Sequence, residues 1–196
     1  MVDWDIGDTE LDDLHRAGIR GVRCNIVDLA EAKGVLPIKQ LTKLANQIAP
    51  LGWHLEFLMH INEFPNLSQL LSNFPVPIVL GHLGYLKTNL GIKDPGFQNL
   101  LSLMREERAW VKLTGPYRIT TEERIPYSDT NPFAYALIAA NSRQVVWGTD
   151  WPHPNHTHIP DDAALVEALA EIAPAAAERQ ALLVDNPQRL YRFAAP

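Results

Sequence analysis

Gln144-Val145-Val146-Trp147-Gly148-Thr149-Asp150 is the stretch on which the fold turns. It is a short, unbroken apolar run that stops at a glycine and then delivers a carboxylate. Apolar runs of this length, without polar alternation, suit strands covered on both faces, as in a parallel sheet. The pattern recurs upstream. Gly21-Val22-Arg23-Cys24-Asn25-Ile26-Val27 is one such run, residues 53–59 lead into His60, residues 76–81 end at His82, and Ala109-Trp110-Val111-Lys112-Leu113-Thr114 leads into Gly115.

Helical spacing fills the intervals. Residues 8–15 open on polar caps, place Leu11 and Leu14 on one face and are closed by Gly18. Residues 37–49 repeat Leu41, Leu44, Ala45 and Ile48, and residues 95–107 repeat Phe97, Leu100, Leu101 and Met104. Residues 66–73, residues 130–140 and two Ala-rich segments after Ala163 are helical as well. Strands alternating with helices predict an α/β fold with a parallel sheet built from βα units. Two architectures fit: an open doubly wound sheet, or part of a (β/α)8 barrel. No strand is followed by Gly-x-Gly-x-x-Gly and no P-loop occurs, which weighs against the first.

Composition narrows the function classes. The 196 residues predict a single domain over 1–196. With 17 Lys and Arg against 23 Asp and Glu, a net charge of −6 and no basic run, nucleic acid is not the expected partner. Cys24 is the single cysteine, so neither a disulfide framework nor an all-cysteine metal cage can form. Acidic residues from Asp3 to Asp13 leave no basic n-region, and Glu167, Glu171 and Pro174 interrupt the most apolar late stretch. No signal peptide or membrane span is expected, and the expected compartment is the cytoplasm.

Polar residues collect where the strands end. In parallel α/β folds the carboxyl ends of strands are where sites are built. His82 stands between Gly81 and Gly84, which let other groups approach it closely; a structural histidine bonded to a carbonyl is the alternative. Asp150 follows a buried strand, and Trp151 and Pro152 are expected to cover it and favour general-base work over a turn cap. His153 is a candidate partner or substrate contact. Arg118, after Thr114-Gly115-Pro116-Tyr117, suits a carboxylate substrate because its fork binds bidentately. Arg23 lies inside an apolar run, where a buried salt bridge is the alternative to a substrate contact. Lys112, His15 and His54 read as structural. His156-Thr157-His158 has metal-ligand spacing but sits in a Pro- and Asn-rich segment, so a solvated loop is expected.

Taken together, Gly21-Val22-Arg23-Cys24-Asn25, Leu80-Gly81-His82-Leu83-Gly84, Val111 through Arg118, Gly148-Thr149-Asp150-Trp151-Pro152-His153-Pro154 and the closing Asp185-Asn186-Pro187-Gln188-Arg189-Leu190-Tyr191 resemble the amidohydrolase superfamily. Within it they are most similar to the lactonase branch that acts on 2-pyrone-4,6-dicarboxylate. The resemblance implies a (β/α)8 barrel that opens a lactone or cyclic ester of a carboxylated small molecule. It implies Asp150 as the residue that activates water, His82 near the reacting carbonyl, and Arg23 and Arg118 on carboxylate and carbonyl oxygens.

Two departures qualify it. The branch carries a second arginine six residues beyond the position of Arg23, where this chain has Leu29, so a smaller or less charged substrate is expected. The family's first-strand Asp-x-His-x-His segment has no match before Gly21, so the five runs would be strands four to eight, with the N-terminal strands missing. Such a partial barrel is expected to have open sheet edges and an exposed apolar inner face, and to pair with another copy. The lactonase branch is implied to work without metal. A zinc or manganese site would have an incomplete ligand set: two donors from His82 and Asp150, with His60 an uncertain third, so no metal residue is assigned. The competing readings are a metal-dependent amidohydrolase or decarboxylase of the same fold, and a truncated non-catalytic fragment.

Overall fold

The computed structural model describes residues 5–27 and 35–193. Five strands form one parallel sheet whose spatial order is the order of the chain. They are β1 (Gly21–Asn25), β2 (His54–Leu58), β3 (Ile78–Leu80), β4 (Ala109–Thr114) and β5 (Val145–Gly148). A doubly wound sheet reverses its strand order at a switch point. No reversal occurs among the described residues, so the first of the two architectures is set aside. The array of described strands is open, with β1 and β5 each hydrogen-bonded on one side.

Strand β4 coincides with its predicted run, and each of the others falls inside its run and is shorter than it. The ladder stops early at β1 because the N–H groups of Ile26 and Val27 both turn to the Leu58 carbonyl, at 2.8 and 3.1 Å. At β3 the preceding Pro77 has no N–H to donate.

The helices are α1 (Asp8–Arg16), α2 (Ile38–Ile48), α3 (Leu67–Leu71), α4 (Pro95–Arg105), α5 (Asn131–Asn141), α6 (Asp162–Ile172), α7 (Ala176–Gln180) and α8 (Asn186–Tyr191). The Asp94 side chain starts α4 by accepting from the backbone of Gly96 and Phe97 at 2.8 and 3.3 Å, with Pro95 in the first turn. Apolar stripes such as Leu41, Leu44, Ala45 and Ile48 of α2 and Phe97, Leu100 and Met104 of α4 face Val22, Leu55, Ile78 and Val111 in the main core. Burying a side chain of this kind contributes roughly 1.5–3 kcal/mol.

The opposite face of the sheet departs from expectation. Registered pairing puts Arg23, Glu56, Val79 and Trp110 in one row, and alternation adds His54 and Lys112 to the same face. The middle of that face is therefore charged. Glu56 is 5% exposed, with Lys112 Nζ 2.6 Å from Oε2 and Arg23 Nη2 2.9 Å from Oε1, the latter off the direction of a hydrogen bond. The apolar remainder, Val79, Val146 and Trp110, is covered by Leu190 and Tyr191 of α8. Tyr191 also meets the edge of the His54 ring and lies under Lys112 Nζ, each about 5.7 Å from its ring centre. The expected exposed apolar inner face is thus replaced by an ion-paired row and a helix cap. Leu29 lies outside the described residues.

His54 is buried, and burial pulls its pKa down to about 4, against a smaller upward pull from Glu56. A folded-state value below the unfolded 6.5 means that the unfolded chain binds the extra proton first. Stability from this group is full above about pH 6.5 and is lost as pH falls towards 4, up to about 3 kcal/mol in all. Urea unfolding across that window is expected to show the loss, and His54→Asn to flatten it. An equally steep window in the variant would assign the loss to another group.

Candidate active site

Four loops leave the carboxyl ends of the strands and converge on one cleft of about 250 Å³, lined among others by Arg23, Asn25, Leu58, His82, Arg118 and Asp150. The loop after β3 is tightly wound: His82, Leu83 and Tyr85 have φ of 48°, 55° and 54°, and Gly84 has 78°. Left-handed residues in series turn the chain sharply enough to throw the His82 ring back over the sheet. The flanking glycines admit neighbouring side chains, as expected. A Cβ at Gly81 would lie 2.4 Å from a Leu58 methyl, and one at Gly84 would lie 2.7 Å from Ile61.

The loop after β4 begins at Gly115, φ 56°, and continues as a single helical turn, Pro116–Arg118. A Cβ at residue 115 would lie 3.0 Å from both Asp150 Oδ2 and His82 Nδ1. Only glycine combines the left-handed angle with that approach. Asp150 itself has φ 72°, a conformation of order 1–3 kcal/mol that persists where surrounding contacts fix it.

Those contacts treat the two carboxylate oxygens differently. Asp150 Oδ2 accepts from Tyr117 Oη at 2.6 Å and from Arg118 Nε at 2.7 Å. Oδ1 lies 3.8 Å from His82 Nε2, too far for a direct hydrogen bond. The other His82 nitrogen, Nδ1, is held by Thr114, 2.9 Å from the hydroxyl and 3.2 Å from the carbonyl. Burial lowers the His82 pKa, and the charge of Asp150 acts in the opposite sense. The Tyr117 phenol is pushed well above its usual range by burial and then by its bond to Asp150, so it stays protonated and donates.

The candidates from the sequence divide into those that reach the cleft and those that do not. Arg23, His82, Arg118 and Asp150 come together there. Arg118 does so with Nε turned to Asp150 and Nη2 donating to the Pro154 carbonyl at 2.9 Å, so its fork faces the protein. Arg23 is half exposed rather than sunk among apolar groups, and its partner is Glu56. His153 is not at the cleft. It is 2% exposed, with Nδ1 3.0 Å from Tyr117 Oη and Nε2 3.2 Å from Asp162 Oδ1. Trp151 does not cover Asp150: it is 75% exposed, and Tyr117, Arg118 and His82 enclose the carboxylate instead.

His60 Nδ1 is 3.1 Å from the Tyr85 carbonyl, and His156 packs edge-on against the Tyr117 ring at 4.5 Å. Among the described residues no group of three His, Cys, Asp or Glu side chains is placed to hold a metal. The donors present do not fit one. Sequence reasoning passed over Tyr117, Thr114 and Asp162. Tyr117 could have been noticed from its place beside Arg118 at the end of a strand, but nothing local marks Asp162.

A family model described as amidohydrolase matches residues 5–193. A 2-pyrone-4,6-dicarboxylate hydrolase from Comamonas testosteroni is 38% identical over 195 residues, covering 95% of this chain and 63% of the relative. A 4-sulfomuconolactone hydrolase from Rhizobium radiobacter is 33% identical over 186 residues, covering 93% and 62%. A solved structure from Pseudomonas putida, itself assigned provisionally as a 2-pyrone-4,6-dicarboxylic acid hydrolase, superposes with a TM-score of 0.82 at 30% identity, covering all of this chain and 71% of that one. The chain spans about three fifths of the length of the curated relatives it matches.

Gly115→Ala is expected to lower stability by about 1–2 kcal/mol through its left-handed angle alone. It should also push His82 and Asp150 apart. Denaturant unfolding together with the imidazole NMR signals of His82 checks both effects. An unshifted His82 signal would show that the loop accommodates the methyl without moving the site.

Proposed function

The chain belongs to the amidohydrolase family, and on that footing we propose that it opens a lactone or cyclic ester of a carboxylated small molecule, using water activated by Asp150. The observation that carries the reading is the division of labour within one carboxylate. Oδ2 is fixed by Tyr117 and Arg118, while Oδ1 is left facing the cleft and His82. A general base needs one oxygen anchored for aim and one available to the proton it takes. The names of two relatives, one acting on a pyrone dicarboxylate and one on a sulfomuconolactone, support an anionic lactone as substrate class.

In this mechanism the lactone carbonyl sits beside His82 Nε2 and the attacking water beside Asp150 Oδ1. Asp150 takes a proton from the water as it adds to the carbonyl carbon. Negative charge develops on the carbonyl oxygen, where the guanidinium of Arg118 supplies positive potential through the N–H groups not bonded to Asp150 or Pro154. The acyl C–O bond then breaks, and Asp150 returns the proton to the departing ring oxygen. Arg23, on the half-exposed rim, holds a carboxylate of the substrate. No step runs through a metal, because the donor set among the described residues does not reach three.

Leu29 stands where the resembling branch has a second arginine. With one cation fewer, a lactone bearing one carboxylate should be preferred to one bearing two.

Asp150→Asn is expected to lower kcat by about 10³-fold or more with an unchanged circular dichroism spectrum, within the range for a lost general base. Turnover retained in that variant would end the assignment. In a panel of carboxylated lactones, kcat/KM should be higher for the mono-anion than for the matched di-anion. The reverse order would remove Leu29 as a determinant of charge selectivity.

A further inference from the structure

Behind the Asp150 carboxylate, three hydrogen bonds run in series to the surface. Tyr117 Oη lies 2.6 Å from Asp150 Oδ2 and 3.0 Å from His153 Nδ1, and His153 Nε2 lies 3.2 Å from Asp162 Oδ1. The middle of the chain is dry and its outer end is wet. The His153 side chain is 1% exposed and that of Asp162 is 43% exposed. Two further groups flank it: Arg118, bonded to the same Asp150 oxygen, and His156, edge-on to the Tyr117 ring.

Counting protons along this chain gives a definite result. Three hydrogen bonds between two terminal carboxylates, an imidazole and a phenol need three protons. A neutral imidazole supplies one and a phenol one. The third sits in one of three places: on Asp162, which then donates to His153 Nε2, or on one of the two groups nearer the cleft. With the phenol hydroxyl aimed at Asp150 and Asp162 accepting, His153 donates from both nitrogens and carries the extra proton. With the hydroxyl aimed at His153 Nδ1, Asp150 carries it on Oδ2. The arrangements with the proton on His153 and on Asp150 differ by two hops along existing hydrogen bonds, and no heavy atom moves.

We propose that Tyr117, His153 and Asp162 form a proton relay that switches Asp150 between base and acid during lactone opening. This rests on the lactone-hydrolase reading above. With the proton on His153, Asp150 is a carboxylate, and Oδ1 takes a proton from the attacking water. As the acyl C–O bond breaks, that proton passes from Oδ1 to the ring oxygen. The charge this would leave on Asp150 is met from behind: Nδ1–H moves to Tyr117 Oη while the phenol proton moves to Asp150 Oδ2. The reverse pair of hops restores the carboxylate before the next water binds. One proton enters and leaves at Oδ1, and the relay gains and loses none. Asp162 touches neither the attacking water nor the substrate; it is a positioning residue that holds Nε2–H and so keeps the third proton in the chain.

Two measurements test the relay. In the free protein, Asp150→Asn removes the arrangement in which residue 150 carries the proton, so the His153 Nδ1 signal in nitrogen-edited NMR should shift. The same substitution made in a Tyr117→Phe background should leave that signal in place. A His153 signal indifferent to Asp150→Asn with Tyr117 present overturns the relay, whether or not the chain opens any lactone.

In turnover, Asp162→Asn is expected to lower kcat on the order of 10²-fold, the low end for positioned proton transfer, with KM held within about twofold. The deficit should grow with the basicity of the departing oxygen, from aryl to alkyl lactones. A purely structural role would give the same deficit for every leaving group, and that result overturns the proposal. His153→Gln repeats the comparison if the first variant is poorly folded. A wild-type chain inert towards all lactones refutes the function reading separately, and the NMR arm then decides the proton network by itself.

Discussion

Two hydrogen bonds to a single oxygen, from Tyr117 and Arg118 to Asp150 Oδ2, hold the ends of β4 and β5 together and set everything else in the cleft. Hydrogen bonds to charged groups are each worth roughly 1.5–3 kcal/mol net, and a carboxylate left without them in a buried setting is strongly disfavoured. The carboxylate needs its donors, and the donors need the carboxylate, because Arg118 is 11% exposed at its side chain. From that mutual requirement follow the left-handed angle of Asp150, the glycine at 115, and the distance left between Oδ1 and His82.

The sequence carried the architecture further than the site. Apolar runs without alternation marked all five strands, and helical stripes marked the helices between them, because burial on both faces and on one face leave different periods. The residues just past each strand, His82, Arg118 and Asp150, were legible for the same reason: topology alone sends them to one end of a parallel sheet. Partners were not legible. His153 stood as a partner of Asp150 or a substrate contact from its neighbourhood in sequence; its ring is held by Tyr117, 36 residues away, and by Asp162. Trp151 adjoins Asp150 in sequence and points away from it into solvent, a choice made by local backbone angles that no side-chain list reveals.

The inner face of the sheet teaches a related lesson. Arg23 in an apolar run suggested either a substrate contact or a buried pair, and it lines the cleft while also facing Glu56. Lys112 was set aside as structural, and its bond to the same carboxylate shows what that structure is. Neither pairing is visible without knowing that β1, β2 and β4 lie within reach of one glutamate across the sheet. Unbroken apolar runs had implied an apolar inner face; Arg23, Glu56 and Lys112 from three strands, with Tyr191 of a distant helix, decide otherwise.

The monotonic strand order has a wider meaning for how such a molecule can change. Neighbours in space are neighbours in the chain, and three successive loops each bring their own polar side chains together: His82 past β3, Tyr117 and Arg118 past β4, Asp150 past β5. A loop can therefore be lengthened or rewritten without rethreading the sheet beneath it. The rim of the cleft, with Arg23 and Asn155, can change shape in this way. The knot of Asp150, Tyr117 and Arg118 is costlier to change one residue at a time, since losing any member takes a hydrogen bond from another. Change in this scaffold is modular at its edge and coupled at its centre.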